Sequence, residues 1–181
     1  MSGRSTSFGA VAAAYERFRP GYPAELFDTV MRYARRPIRA ALEIGAGTGK
    51  ATRLFAERGV TVTATEPDAA MLAELRKHVP ANVITVQVGF EDLRPAGHHM
   101  QWPATELQRS EWFTDVQQSV IERRWTMLAR DYVGHLSTIS AYLQLPPLQQ
   151  HQTYGRIMQV LPESVDVSAD ITAHLARRRS Q

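Results

Sequence analysis

Hydrophobic and polar positions along the chain follow two periods, and the change from one to the other marks out its elements. Leu26, Phe27, Val30 and Ala34 recur at helical spacing and predict a helix over 24–34, ended by Arg35-Arg36-Pro37. Upstream, Phe8 to Phe18 suits a short helix that Arg19-Pro20-Gly21-Tyr22-Pro23 breaks. Ala41-Leu42-Glu43-Ile44 predicts a strand, Leu54 and Phe55 mark the buried side of a helix over 50–58 capped by Gly59, and Val60 to Thr65 forms a second strand. Pro67-Asp68 opens a helix carrying Met71, Leu72, Leu75 and Val79, and Val83 to Val88 is a third strand. Strands alternating with helices predict a parallel sheet.

Beyond Leu93 the pattern stops, and residues 94–103 show neither period. Glu111-Trp112-Phe113-Thr114-Asp115-Val116 then leads into a strand reaching about Arg123. A long helix is predicted from about Met127 to Leu145, with Leu128, Tyr132, Leu136, Ile139 and Leu143 along one side and Pro146-Pro147 as its stop. A second helix holds Tyr154, Ile157, Met158 and Leu161. The last segment alternates strictly, with Val165, Val167, Ala169, Ile171, Ala173 and Leu175 on one face, which predicts a single half-buried strand.

Candidate chemistry concentrates between Ala40 and Pro67. Gly45-Ala46-Gly47-Thr48-Gly49 joins the first strand to its helix. Gly45 and Gly47 can take backbone angles barred to other residues and admit a ligand close to the main chain, while Gly49 lets the following helix sit close on the sheet. Glu66 stands 21 residues beyond Gly45, near the spacing at which a carboxylate at a strand tip accepts from two ribose hydroxyls. Two nucleotide motifs fail here. The dinucleotide fingerprint requires glycine where Lys50 stands, and the phosphate-cradling loop requires glycine and a hydroxyl where Ile44 and Ala51 stand.

What remains, Glu43-x-Gly45-x-Gly47-x-Gly49 with the acid Glu66, resembles the first two motifs of the class I S-adenosylmethionine-dependent methyltransferases, type 11-like. Tyr15-x-x-x-Arg19-Pro20-x-Tyr22-Pro23 resembles the N-terminal segment of a bacterial subgroup of that family, in which it folds over the cofactor. The resemblance covers about Phe8 to Leu93. It implies a doubly wound, Rossmann-like α/β sheet with helices on both faces, S-adenosylmethionine as cofactor and a small-molecule methyl acceptor. It sets Glu43, Gly45, Ala46, Gly47, Gly49, Glu66 and Pro67 on the cofactor, Tyr15, Arg19 and Tyr22 at its methionine end and the substrate, and Phe90 with Glu91 at the adenine. Met71 is a further adenine candidate, with plain core as its competing reading. Trp102, Tyr132, His135 and Tyr142 are candidates for the substrate pocket, and no residue stands out as a general base.

The family's fourth strand should follow Leu93 and does not. Each strand-helix unit needs about 30 residues, so about 60 are absent and the sheet is shortened by about two units. On this reading 1–181 is a single domain: 1–93 the cofactor-binding half, 94–110 a loop at the apparent internal deletion, and 111–181 the substrate-side half. The loss leaves one edge of the first strand unpaired. The last strand moving in beside it, a second copy pairing across it, or low stability are the possible outcomes, the first being expected of a compact monomer. A catalytically inactive, nucleoside-binding or dimerising remnant is the alternative to an enzyme.

The 181 residues, 44% hydrophobic and 22% charged, describe an ordinary globular domain. A net charge of +3 comes from scattered arginines, and the single run Arg177-Arg178-Arg179 reads as a solvated tail, so no nucleic-acid partner is expected. The lack of cysteine excludes disulfides, thiolate metal sites and a cysteine nucleophile. His98-His99 lack a third spaced ligand, and no metal is expected. No apolar run approaches the roughly 20 residues of a membrane span. Val11 to Ala14 is too short for a signal-peptide core, which leaves a cytoplasmic protein with no membrane partner as the expectation.

Overall fold

A computed structural model describes residues 8–89 and 105–179. A turn of 3-10 helix at Gly9–Val11 leads into α1 (Ala12–Phe18) and α2 (Ala24–Ala34). A parallel unit follows: β1 (Ala40–Ile44), α3 (Lys50–Ala56), β2 (Thr61–Thr65), α4 (Ala69–Arg76) and β3 (Val83–Val86). The sheet order is β1-β2-β3, with Leu42 opposite Thr63 opposite Ile84. Asp68 caps α4, its carboxylate accepting from the Ala70 and Met71 N–H groups at 2.8 and 3.2 Å. After α3, Val60 N–H donates to the Phe55 carbonyl across Gly59, the bond that ends a helix in a left-handed turn.

The core lies under one face of this sheet. Val62 and Ala64 point into it with Val60, meeting Ala56, Leu72 and Leu75, and Phe27 of α2 packs on Phe55 at 5.3 Å. Right-handed crossovers running outward in strand order put α3 and α4 on the same side. The other face carries Leu42, Ile44, Ile84 and Val86 at 59, 45, 55 and 41% exposure. The expected α/β class with a parallel sheet and helices is present.

The second half is built differently from the sequence reading. After α5 (Thr105–Arg109), β4 (Phe113–Ile121) and β5 (Arg124–Leu128) are followed by α6 (Ala129–Leu136), α7 (Ser140–Leu143) and α8 (Pro147–Val160), then β6 (Ser164–Ser168) and β7 (Ile171–Arg178). β4 pairs antiparallel with β7 and β5 with β6. The two pairs are one long ribbon bent at Glu122-Arg123 opposite Ala169-Asp170. The bend is held by Arg123 N–H donating to Asp170 Oδ1 and Ala169 N–H donating to the Arg123 carbonyl, both at 3.0 Å.

Four expectations are corrected here. The helix predicted from Met127 to Leu145 is instead the end of a strand and two short helices, because Ser137 and Thr138 hydroxyls donate to the Gly134 and His135 carbonyls at 2.7 Å and compete with helical bonding. The single last strand is two strands, split by Asp170 turning its carboxylate onto Arg123. That segment does not move in beside β1, because its backbone pairs with β4 and β5 instead; among the described residues no strand pairs with the outer edge of β1. Arg177 and Arg178 are no solvated tail. They belong to β7, where Arg177 pairs with Asp115 at 3.0 Å and also bonds the Tyr33 and Ala34 carbonyls, while Arg179 N–H donates to the Trp112 carbonyl. Asp115 supplies this contact from a bulge in β4, with φ +51°.

Candidate functional site at the tips of the parallel strands

β1 and β2 end side by side, and the turn after β1 is fixed by the strand next to it. Ala46 N–H donates to the Thr65 carbonyl at 2.9 Å, and Gly47 N–H donates to Glu66 Oε2 at 2.9 Å. Gly45, Gly47 and Gly49 all have positive φ, at 71, 59 and 83°. Their surroundings differ. A Cβ at Gly49 would fall 2.7 Å from Leu75 Cγ, so this glycine admits α4 against the turn. A Cβ on Gly45 would meet nothing within 4 Å and would project into open space above the strand tip.

That space is a cavity of about 300 Å³ lined by Gly45, Ala46, Gly47 and Glu43 from the turn and by Tyr15, Arg19 and Tyr22 from the N-terminal segment. His135 of α6 and the ribbon residues Arg123, Trp125, Val167 and Ala169 complete the lining. The N-terminal segment is tied down at both ends. Gly9 N–H donates to Asp68 Oδ2 at 3.0 Å, and Arg19 donates to the Thr138 hydroxyl and carbonyl at 2.9 and 3.2 Å. Between them Glu16 is clamped to α3 by Arg53 at 2.7 Å and Lys50 at 3.4 Å.

Electrostatics follow from this enclosure. Burial pushes the Glu43 carboxyl up, against the Thr52 hydroxyl that donates to it at 2.6 Å. Burial likewise depresses the Lys50 ammonium, opposed by Glu16. His135 is lowered by burial and then by the Arg19 charge, so its ring is neutral near pH 7. Tyr22 is raised by burial, with Tyr15 and Glu43 adding to the effect and Arg123 opposing it.

Of the residues singled out in the sequence, Tyr15, Arg19, Tyr22, Glu43, Gly45, Ala46, Gly47 and His135 converge on the cavity. Glu66 lies behind the turn at 6% exposure, its second oxygen accepting from Asp68 N–H at 3.0 Å. Met71 is buried core beneath Gly47. Gly49 and Pro67 do not line the cavity. Neither do Tyr132 and Tyr142, the latter packing on Tyr154 at 5.8 Å. Phe90, Glu91, Trp102, His98 and His99 lie outside the described residues. Sequence reasoning missed Lys50 as a wall residue, and it missed Arg123, Trp125, Val167 and Ala169. The alternation of Trp125 and Met127 with Arg124, Thr126 and Leu128 was the available signal for the second strand of the ribbon.

Likeness to known proteins agrees with this geometry. The family model described as methyltransferase domain matches residues 41–131, just over half the chain. An uncharacterized methyltransferase of Mycobacterium tuberculosis is 46% identical over 79 residues, which cover 44% of this chain and 31% of that protein. A probable S-adenosylmethionine-dependent methyltransferase of Saccharomyces cerevisiae, CRG1, is 29% identical over 79 residues, 44% of this chain and 27% of the yeast protein. The matched stretch thus spans about a third or less of these relatives. The structure of a putative type II methyltransferase from Anaeromyxobacter dehalogenans shares the fold, with a TM-score of 0.53 at 20% identity over 89% of this chain and 98% of the other. Among the described residues no helix is long and apolar enough to cross a membrane. With the glycine turn, the acid at the tip of β2 and the match over 41–131 together, the chain belongs to the S-adenosylmethionine-dependent methyltransferase family.

Proposed function

We propose that this chain binds S-adenosylmethionine across its glycine turn and transfers the methyl group to a small-molecule acceptor, working in the cytoplasm without a nucleic-acid or membrane partner. The observation that carries this reading is the cavity at Gly45, where Glu43, Arg19, Tyr15 and Tyr22 meet from two separate parts of the chain. Its residues fit the cofactor: an open approach to the Gly45 backbone, a half-buried carboxylate for an ammonium and an arginine fork for a carboxylate. When bound, the sulfonium supplies an activated methyl carbon, and the protein's task is to align the acceptor and exclude water.

Arg19 is already oriented by Thr138, and its remaining N–H groups are directed to the methionine carboxylate. Glu43 is oriented by Thr52 and takes the ammonium. Glu66 keeps the turn and the start of α4 in register through Gly47 and Asp68, and its spare lone pairs take the ribose hydroxyls when the Gly47 contact opens.

Calorimetric titration with S-adenosylmethionine and its demethylated product tests this. Micromolar binding is expected in the wild type, weakened at least tenfold by Glu43→Ala and by Glu66→Ala; a folded protein that gives no heat with either compound overturns it. The second reading, a remnant that binds without turnover, is favoured by the outer edge of β1, which no strand pairs among the described residues. Methyl transfer to any acceptor in a screened panel rejects that second reading.

A further inference from the structure

A second cavity, of about 490 Å³, adjoins the first and shares Pro20, Arg123 and Trp125 with it as a common wall. Its open rim carries Glu25, Glu122 and Arg124, all exposed, whereas Arg123 and Trp125 are half-buried. Arg123 sits at the bend of the ribbon, its backbone fixed on both sides by the bonds to Asp170 and Ala169. Its guanidinium lies over the Trp125 ring, 5.1 Å from the centroid, and among the described residues no carboxylate pairs with it.

Of the other cations near the cofactor cavity, Lys50 and Arg53 hold Glu16, and Arg19, donating to Thr138, is the one given to the cofactor's carboxylate in the reading above. A half-buried guanidinium with a locked backbone and no counter-ion is an anion site in waiting, because its planar fork matches two carboxylate oxygens at once. Acids at the rim repel a polyanion, which favours a single carboxylate over a phosphate. The Trp125 face beside it suits a flat apolar body.

We infer that the methyl acceptor is a small planar carboxylic acid, gripped through its carboxylate by Arg123 against Trp125 on the wall between the two cavities. This rests on the methyl-transfer reading above and adds the substrate class to it. The carboxylate serves as the handle that orients the acceptor.

Ligand-observed NMR titration of the full chain with benzoate and its neutral counterpart benzamide tests the inference, run with and without saturating S-adenosylhomocysteine. Benzoate is expected to bind at least tenfold more tightly than benzamide, and to do so with S-adenosylhomocysteine present. The preference falls to near unity in Arg123→Gln and is partly restored in Arg123→Lys, circular dichroism checking that each variant is folded. Equal binding of the two probes, no binding of benzoate, a preference retained in Arg123→Gln, or displacement of benzoate by S-adenosylhomocysteine each overturns it; the last would mean that Arg123 serves the cofactor. If benzoate preference stands while S-adenosylhomocysteine gives no calorimetric signal, the anion site holds and the cofactor reading falls.

Discussion

Three glycines that look equivalent in the turn carry different loads. Gly49→Ala forces a methyl to 2.7 Å from Leu75 at φ +83°, so overpacking and backbone strain add to a loss of about 2–4 kcal/mol in urea unfolding. Gly45→Ala meets no neighbour and costs only the left-handed conformation, about 1–2 kcal/mol, but its methyl enters the cavity and weakens cofactor binding more than stability. Glu43 behaves in the opposite sense. Burial raises its folded pKa, so the protonated form is favoured in the native state and stability is lost as pH rises through that value. Glu43→Gln, which still accepts from Thr52, is therefore expected to raise the melting temperature of the ligand-free protein at pH 7. The gain closes as pH falls to the ordinary value of 4.5 and below, as thermal scans across pH will show. At this scale the sequence was most legible, because positive φ and motif spacing are local properties. Glu66 was legible as a strand-tip acid, but not its bonds to Gly47 and Asp68, which depend on how the turn folds back.

Among elements, α1 is held to α3 by a cluster of charged contacts. Glu16 anchors it: burial alone would raise that carboxyl, but the neighbouring Thr48 hydroxyl, Lys50 and Arg53 outweigh burial and hold it below 4.5. Its stabilisation is therefore present above pH 4.5 and lost as pH falls through the lowered folded value. Glu16→Gln removes about 1–2 kcal/mol from this contact, and hydrogen exchange over residues 12–19 is expected to run roughly tenfold faster at pH 7. Acidification brings the wild type toward the variant. The parallel unit was readable because apolar spacing, Asp68 and Gly59 all point to the same boundaries. The ribbon was not. Alternation in 164–178 reports a face but neither the partner nor the bend at Ala169-Asp170, and the apolar spacing of 127–145 hid a strand end and two helix stops at Ser137 and Thr138.

For the whole molecule, the outer edge of β1, which no strand pairs among the described residues, and the apolar face beside it are the candidate surface for association of two copies. Edge pairing of two copies about a two-fold axis would run β1 against β1 antiparallel and extend the sheet to six strands, setting Leu42 and Ile44 beside those of the second copy at its centre. Concentration-dependent dimerisation is expected by light scattering, and Leu42→Lys should shift it toward monomer without lowering the melting temperature; a monomer at every concentration rejects the pairing. That the strand-helix alternation stops after Leu93 was legible in the sequence, but how the rest of the chain pairs was not, since strand partners lie far apart in sequence. The same distance has a temporal side. The β1-β2-β3 unit is made of near-neighbour contacts within residues 40–86, whereas the cavity is closed by Tyr15 to Tyr22 from one direction and by Arg123, Trp125, Val167 and Ala169 from the other. Remote contacts cost more chain entropy to close than near ones, so the cavity is expected to be completed last. A ligand that fits it binds only the finished chain and acts as a folding inspector, drawing the population toward molecules whose two ends have met.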